Sequence, residues 1–206
     1  SPSQPSQAAA VLEISGATLA QLPTDLQLDG TGTIVVNLAP GDTFNAENYS
    51  FLSGSNVTFE VYGTSGGDTI VGTAKADFLD GEGGSDSLTG GAGADVFRPS
   101  PGNSVIADFT IGTDKIDLRD IGFSSFAQLQ AYMSEVGGEA VISLLYDGVI
   151  NTLTIQNVAL GDLTADDFLF HPASDPIVNT GTENADVLFG AGGNDLLDGL
   201  GGDDSM

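Results

Sequence analysis

The chain has 206 residues, 40% of them hydrophobic but only 7% aromatic, with 29 glycines and no cysteine. Its 29 acidic residues, 22 of them Asp, stand against Lys75, Arg98, Lys115 and Arg119, giving a formal charge of −25. Disulfides, thiolate metal sites and cysteine nucleophiles are thereby excluded, nucleic acid and membrane insertion are ruled out as partners by charge and by the shortness of every apolar run, and cations are left as natural partners.

Residues 1–10, rich in Ser, Pro and Gln, read as a linker with neither the basic nor the apolar region of a secretory signal, and the chain reads as part of a longer protein. From residue 11 to 62, short apolar stretches alternate with Gly, Pro, Asn and Asp, which predicts strands and turns: a β-rich N-terminal cap or the end of a preceding domain. Residues 63–98 form a repeat block, and residues 99–171 an insertion that caps it. Within the insertion, SSFAQLQAYMSEVGG predicts a short amphipathic helix, with Phe126, Leu129, Tyr132 and Met133 on one face, Ser124 or Ser125 at its start and Gly137 at its end. The two β-rich runs around Asp147-Gly148 predict a hairpin with a two-residue turn. Asp162 to Phe170 predicts a one-turn helix capped by Thr164 and closed by an apolar strand. Residues 172–180 read as a linker and 181–206 as a second, truncated repeat block.

The repeats carry the chemistry. Residues 63–98 divide without gaps into GTSGGDTIV, GTAKADFLD, GEGGSDSLT and GGAGADVFR. Position one is always Gly, position six always Asp (Asp68, Asp77, Asp86, Asp95) and position eight always apolar (Ile70, Leu79, Leu88, Phe97). The register returns as GTENADVLF, GAGGNDLLD and GLGGDDSM, with Asp186, Asp195 and Asp204 at position six. Early glycines permit a tight turn whose carbonyls point inward, the Asp adds a hard anionic oxygen, and positions seven to nine form a short strand with one inward apolar side chain. If each unit is half a coil, units i and i+2 stack one strand spacing apart and their turns enclose oxygen ligands. Such irregular oxygen cages suit calcium, whereas magnesium demands octahedral geometry and zinc prefers His or Cys. Each unit orders nine residues around a single buried apolar side chain, so metal binding is expected to be coupled to folding.

The pattern GGxGxDxUx resembles the RTX family, the hemolysin-type calcium-binding nonapeptide repeats of bacterial proteins exported by type I secretion. The insertion, through NSVIADFTIGTDKIDLRDIGF and NTLTIQNVALGDLTADDFLF, is similar to segments of serralysin-type C-terminal modules. The resemblance implies an all-β, right-handed parallel β-roll with capping strands and one short helix. It also implies a ligand set: the carbonyls of positions two and four and the Asp of one unit, with the carbonyls of positions one and three and the Asp two units on. Carried over, the first site uses Thr64, Gly66 and Asp68 with Gly81, Gly83 and Asp86, and the second uses Thr73, Lys75 and Asp77 with Gly90, Ala92 and Asp95. A third uses Thr182, Asn184 and Asp186 with Gly199, Gly201 and Asp204, while Asp195 awaits a partner. Lys75 stands where the family has Gly, placing a Cβ where a positive φ is expected, and Asp108 with Asp114 is implied to hold an ion beyond the fourth unit. Asp86, interior to its block, is expected to face ions on both sides.

No HExxH or P-loop occurs, and no GxSxG or GxGxxG lies in a strand-to-helix context, so the fragment is expected not to be an enzyme. His171, beside Pro172, reads as a solvated loop residue, the Asp166-Asp167 pair as a helix-start charge or a solvated turn, and Asp175-Pro176 as part of a linker. The expected role is a secreted or cell-surface calcium module, structural or concerned with secretion and folding. The alternatives are an adhesin or surface-layer unit that contacts polysaccharide or its own copies, and the C-terminal module of a secreted hydrolase, protease or polysaccharide-modifying enzyme. A type I secretion apparatus is the expected transport partner.

Overall fold

The computed structural model describes residues 10–15, 27–40, 42–146, 148–172, 178–180 and 196–198, the first and last two of these segments as backbone only. Two sheets of seven strands face one another across a narrow core. The first sheet takes, in spatial order, β1 (Ala10–Ser15), β3 (Thr31–Asn37), β6 (Asn56–Thr64), β8 (Phe78–Glu82), β10 (Val96–Arg98), β12 (Lys115–Asp117) and β16 (Phe168–Leu169), all in parallel. The second runs β4 (Thr43–Asn45), β7 (Thr69–Val71), β9 (Ser87–Thr89), β11 (Ser104–Ile106) and β15 (Val149–Ile155) in parallel, then adds β14 (Glu139–Tyr146) and β13 (Met133–Val136) antiparallel. Two short parallel pairs stand apart from these: β2 (Gln27–Leu28) with β5 (Ser50–Phe51), and β17 (Val178–Thr180) with β18 (Leu196–Asp198). The chain thus winds between two sheets as a parallel β-roll.

Inward residues at matched positions form one ladder per sheet. Val36, Val61, Leu79, Phe97, Ile116 and Phe168 are successive partners in the first sheet, and Phe44, Ile70, Leu88, Ile106 and Ile155 in the second; all are buried. Each such side chain contributes about 1.5–3 kcal/mol on burial. Aromatic clusters close the two ends: Phe44, Tyr49 and Phe59 on the N-terminal side, and Phe126, Phe168 and Phe170 on the C-terminal side. Strands before residue 63 and after residue 98 therefore continue the same two sheets as the repeats.

The predicted helix is shorter than its pattern. A single turn, α1 (Phe126–Leu129), starts at Ser125, whose side chain accepts the Gln128 N–H, and passes into a 3-10 turn over Gln130–Tyr132. Met133 then leaves the helical face and pairs with Ile142 in β13. Consecutive left-handed glycines, Gly137 and Gly138 (φ 67° and 91°), make a tight hairpin turn there, and four ladder pairs outweigh one more turn of an isolated helix. The second hairpin forms as predicted, with Tyr146 opposite Val149 and Gly148 at φ 74°. So does the 3-10 turn at Ala165–Asp167, which follows Thr164 and leads into β16.

Candidate metal centre

The turns joining the sheets stack in two columns. On one side lie residues 63–68 above 81–86, and on the other 72–77 above 90–95. Within each column the position-six carboxylate accepts the backbone N–H of its counterpart eighteen residues earlier. Asp86 Oδ1 accepts from Asp68 N, and Asp95 Oδ1 from Asp77 N, both at 2.9 Å. Asp77 Oδ1 likewise accepts from Phe59 N at 3.1 Å. These four carboxylates are almost wholly buried, Asp95 completely.

Units one and two share a second device. Asp68 Oδ2 accepts both the backbone N–H and the hydroxyl of Thr64, at 2.7 and 2.9 Å, and Asp77 Oδ2 takes the same pair from Thr73, at 2.6 and 2.8 Å. The threonine hydroxyls in turn accept the position-four N–H groups, of Gly66 at 3.1 Å and of Lys75 at 3.0 Å. This overturns the strain expected at Lys75. The only described non-glycine residues with positive φ are Glu82 and Asn157, so the Thr73 hydroxyl holds the Lys75 turn in an ordinary conformation. The Lys75 ammonium lies 5.4 Å from the Phe51 ring centroid. Units three and four take the other solution: position two is left-handed at Glu82 (φ 57°) and Gly91 (φ 91°).

The glycine at position one leaves no room for a Cβ, which would meet first the carbonyl of the glycine two units on in units one and two and the carboxylate in units three and four. A Cβ on Gly81 would collide with the Asp86 side chain, and one on Gly90 would lie 2.5 Å from Asp95 Oδ2. Gly83 N donates to Thr64 O at 2.8 Å and Ala92 N to Thr73 O at 3.2 Å, which binds unit to unit two apart.

Among the described residues, two buried carboxylate oxygens have no partner: Asp68 Oδ1 in the first column and Asp95 Oδ2 in the second. An unpaired buried carboxylate oxygen is costly, because burial disfavours the charged form. The pKa values of Asp77, Asp86 and Asp114 are raised by desolvation, and that of Asp95 is pushed up to about 7 by burial and the neighbouring charges of Asp114, Asp77 and Asp108. Asp117 shows the contrast. Although buried, it is held below the ordinary carboxylate value by Arg119 and Arg98, whose side chains donate to it at 2.7–3.2 Å. No such cation faces Asp68 or Asp95 among the described ion pairs. The residues present fit a hard cation: two stacked carboxylates per site, each pair with one unsatisfied oxygen, and no sulfur or imidazole ligand. Among the described residues no three His, Cys, Asp or Glu side chains converge on one point, so further oxygens for an ion must come from the backbone.

Two more turns, absent from the repeat pattern, continue the columns. Residues 99–107 stack in register on unit three, with Val105 opposite Ser87, Ile106 opposite Leu88, and Ser104 at position six. Residues 108–117 stack on unit four with one extra residue, so that Asp114 Oδ1 accepts from Asp95 N at 3.0 Å over a span of nineteen residues. Asp108 clasps Gly90 N and Gly91 N at 2.8 and 2.9 Å. Asp167 is fully buried rather than in a solvated turn: its carboxylate takes Gly112 N and Thr164 N, both at 2.8 Å, and ends that column. Its neighbour Asp166 receives the Lys115 ammonium on its carbonyl. Gly102, Ser104 and Ile106 were the available signal for the fifth turn, but Pro at positions one and three hid it. Thr182, Asn184, Asp186, Asp195, Gly199, Gly201 and Asp204 lie outside the described residues, as does Asp175-Pro176. Flanking them, Val178 pairs with Leu196 and Asn179 with Leu197, parallel and again eighteen residues apart. His171 Nδ1 lies 3.1 Å from Pro172 O.

Stacked nine-residue turns with facing buried carboxylates define a cation-binding parallel β-roll. Compared with known families, residues 62–97 and 180–206 match the RTX calcium-binding nonapeptide repeat, in four copies. These two blocks carry RTX repeats, which bind calcium ions. No curated protein matches the chain.

Proposed function

We propose that the chain is a module of an exported bacterial protein that folds outside the cell when it meets calcium, and that its role is structural or in secretion and folding rather than catalytic. The observation that carries this reading is the pair of orphaned oxygens, Asp68 Oδ1 and Asp95 Oδ2, in stacks that each hold two buried carboxylates. Asp68 and Asp86 hold the first ion, Asp77 and Asp95 the second, with turn carbonyls of the residues named above completing each shell; the ion supplies the charge that lets the carboxylates stay ionised and buried. Without it, charge repulsion and desolvation oppose closure of the turns, so binding energy becomes folding energy. A chain that remains open at low calcium suits passage through a type I secretion channel. The likeness of the insertion to serralysin-type C-terminal modules belongs to the same reading.

Circular dichroism tests it. Excess chelator should leave the repeat blocks largely without β structure, and calcium should restore it with a midpoint of roughly 10⁻⁴ to 10⁻³ M, the range of extracellular modules. Magnesium should not substitute. A spectrum unchanged after calcium has been removed and its absence verified would defeat the proposal.

A further inference from the structure

Four position-six steps in the two columns have the same backbone geometry: the N–H of one unit's residue is received by the side chain two units on. Three of the four receivers are carboxylates, namely Asp86, Asp95 and Asp114. The fourth is a hydroxyl. Asp86 N donates to Ser104 Oγ at 3.1 Å, and Ser104 Oγ donates back to Asp86 Oδ2 at 3.2 Å.

That change alters charge and valence together. A carboxylate that accepts one N–H still has a second oxygen to offer, whereas the single oxygen of Ser104 is engaged as acceptor and donor at once. The Asp86–Ser104 step holds one negative charge where the steps Asp68–Asp86 and Asp77–Asp95 hold two. Neither oxygen of Asp86 is orphaned, in contrast to Asp68 and Asp95. One backbone oxygen of the fifth turn is engaged as well: Pro99 O accepts the Tyr146 hydroxyl at 2.8 Å, whereas the bond from Gly84 N to Pro101 O, also 2.8 Å, has counterparts in Gly83 N to Thr64 O and Ala92 N to Thr73 O. The turn otherwise keeps the fold of a repeat, with Gly102 at a positive φ of 135° against the Gly84 carbonyl and Ile106 in the core ladder.

We infer that the step between Asp86 and Ser104 is a metal-free latch, in which the Ser104 and Tyr146 hydroxyls stand in place of an ion. The first column thus stops binding calcium at Asp86. This rests on the calcium reading above and adds to it a residue, Ser104, that sets how many ions the roll takes. It also revises the expectation that Asp86 faces ions on both sides, because one side faces a hydroxyl.

The test counts calcium ions bound per full chain, by equilibrium dialysis, and follows folding by circular dichroism. Ser104→Ala removes the hydroxyl but no ion ligand, so it should bind the same number of ions as the wild type. Ser104→Asp combined with Tyr146→Phe supplies the missing carboxylate and frees the Pro99 carbonyl, so it should bind one ion more. One ion fewer in Ser104→Ala would overturn the latch, since the hydroxyl would then be a ligand. The wild-type count in the folded double variant would also overturn it. So would failure of that variant to reach the wild-type spectrum in saturating calcium, because the slot would then lack more than a carboxylate. A wild type that binds no calcium at all would instead refute the calcium reading, and the latch with it.

Discussion

The carboxylate of Asp95 accepts the backbone N–H of Asp77 through Oδ1 at 2.9 Å, while its Oδ2, equally buried, has no partner. The same group both joins two coils of the roll and carries a buried charge that no cation among the described ion pairs compensates. Its pKa, pushed up to about 7, sets the sign of the pH response. The folded state binds this proton more tightly than the unfolded chain, in which an Asp titrates near 3.8. Its contribution to the stability of the metal-free fold is therefore fully present below about pH 4 and is lost as pH rises through 7. The raised Asp77, Asp86 and Asp114 act in the same direction. In chelator the protein should show more β structure at pH 5 than at pH 8, and Asp95→Asn should flatten that dependence. Protons and calcium compete for the same oxygens, so the calcium midpoint should rise as pH falls from 8 to 6. A metal-free fold that instead loses structure steadily between pH 8 and pH 5 would contradict this account.

The aspartates should not be equivalent. Asp95 has a carboxylate two units away on either side, Asp77 and Asp114, whereas Asp86 has Asp68 on one side and the neutral Ser104 on the other. Asp95→Asn should raise the calcium midpoint of folding more than Asp86→Asn does. Calcium titrations of the two variants, followed by circular dichroism, compare them directly, and equal midpoints would argue against the column asymmetry.

The repeat columns were legible in the sequence because Gly and Asp recur at fixed spacing, and the eighth-position pairs Ile70–Leu88 and Leu79–Phe97 follow from that spacing alone. The coils on either side were not. Residue 44 meets residue 70 and residue 36 meets residue 61, spacings that no nonapeptide period reveals, because those turns are longer and hold no ion-binding pattern. In the sixth turn a one-residue insertion moves Asp114 out of register, although its hydrogen bond to Asp95 is the same as in the true repeats. Helical periodicity at residues 126–133 was real, yet the Gly137-Gly138 turn committed Met133 to a hairpin. Local pattern cannot weigh that against a ladder formed with residues nine positions away.

Phe97 tests whether the core and the metal columns act as one cooperative unit. It is fully buried, pairs with Leu79 and Ile116, and lies 6.2 Å from the Phe109 ring. Phe97→Ala should cost about 3–5 kcal/mol, as large-to-small core changes do. Where folding and binding are coupled, that loss should appear as a higher calcium midpoint as well as a lower melting temperature in saturating calcium. An unchanged midpoint with a lowered melting temperature would separate the core from the calcium columns.

Two glycines separate conformational strain from close packing. Gly102 and Gly112 both have positive φ, 135° and 75°. A Cβ on Gly112 meets nothing within 4 Å, whereas one on Gly102 would run into the carbonyl of Gly84, the glycine two units earlier in the same column. At Gly112 an alanine brings only the left-handed penalty, roughly 1–2 kcal/mol. At Gly102 the φ lies beyond the left-handed well open to alanine, and the Gly84 backbone cannot yield without opening the stack above it, which includes the Asp68–Asp86 hydrogen bond. Gly102→Ala should therefore lower the melting temperature in saturating calcium well beyond Gly112→Ala, and it should raise the calcium midpoint more than Gly112→Ala does. Thermal melts and calcium titrations of the two variants decide the matter: equal losses would mean that the fifth turn is not packed against unit three as closely as the strand register of Val105 with Ser87 and Ile106 with Leu88 requires.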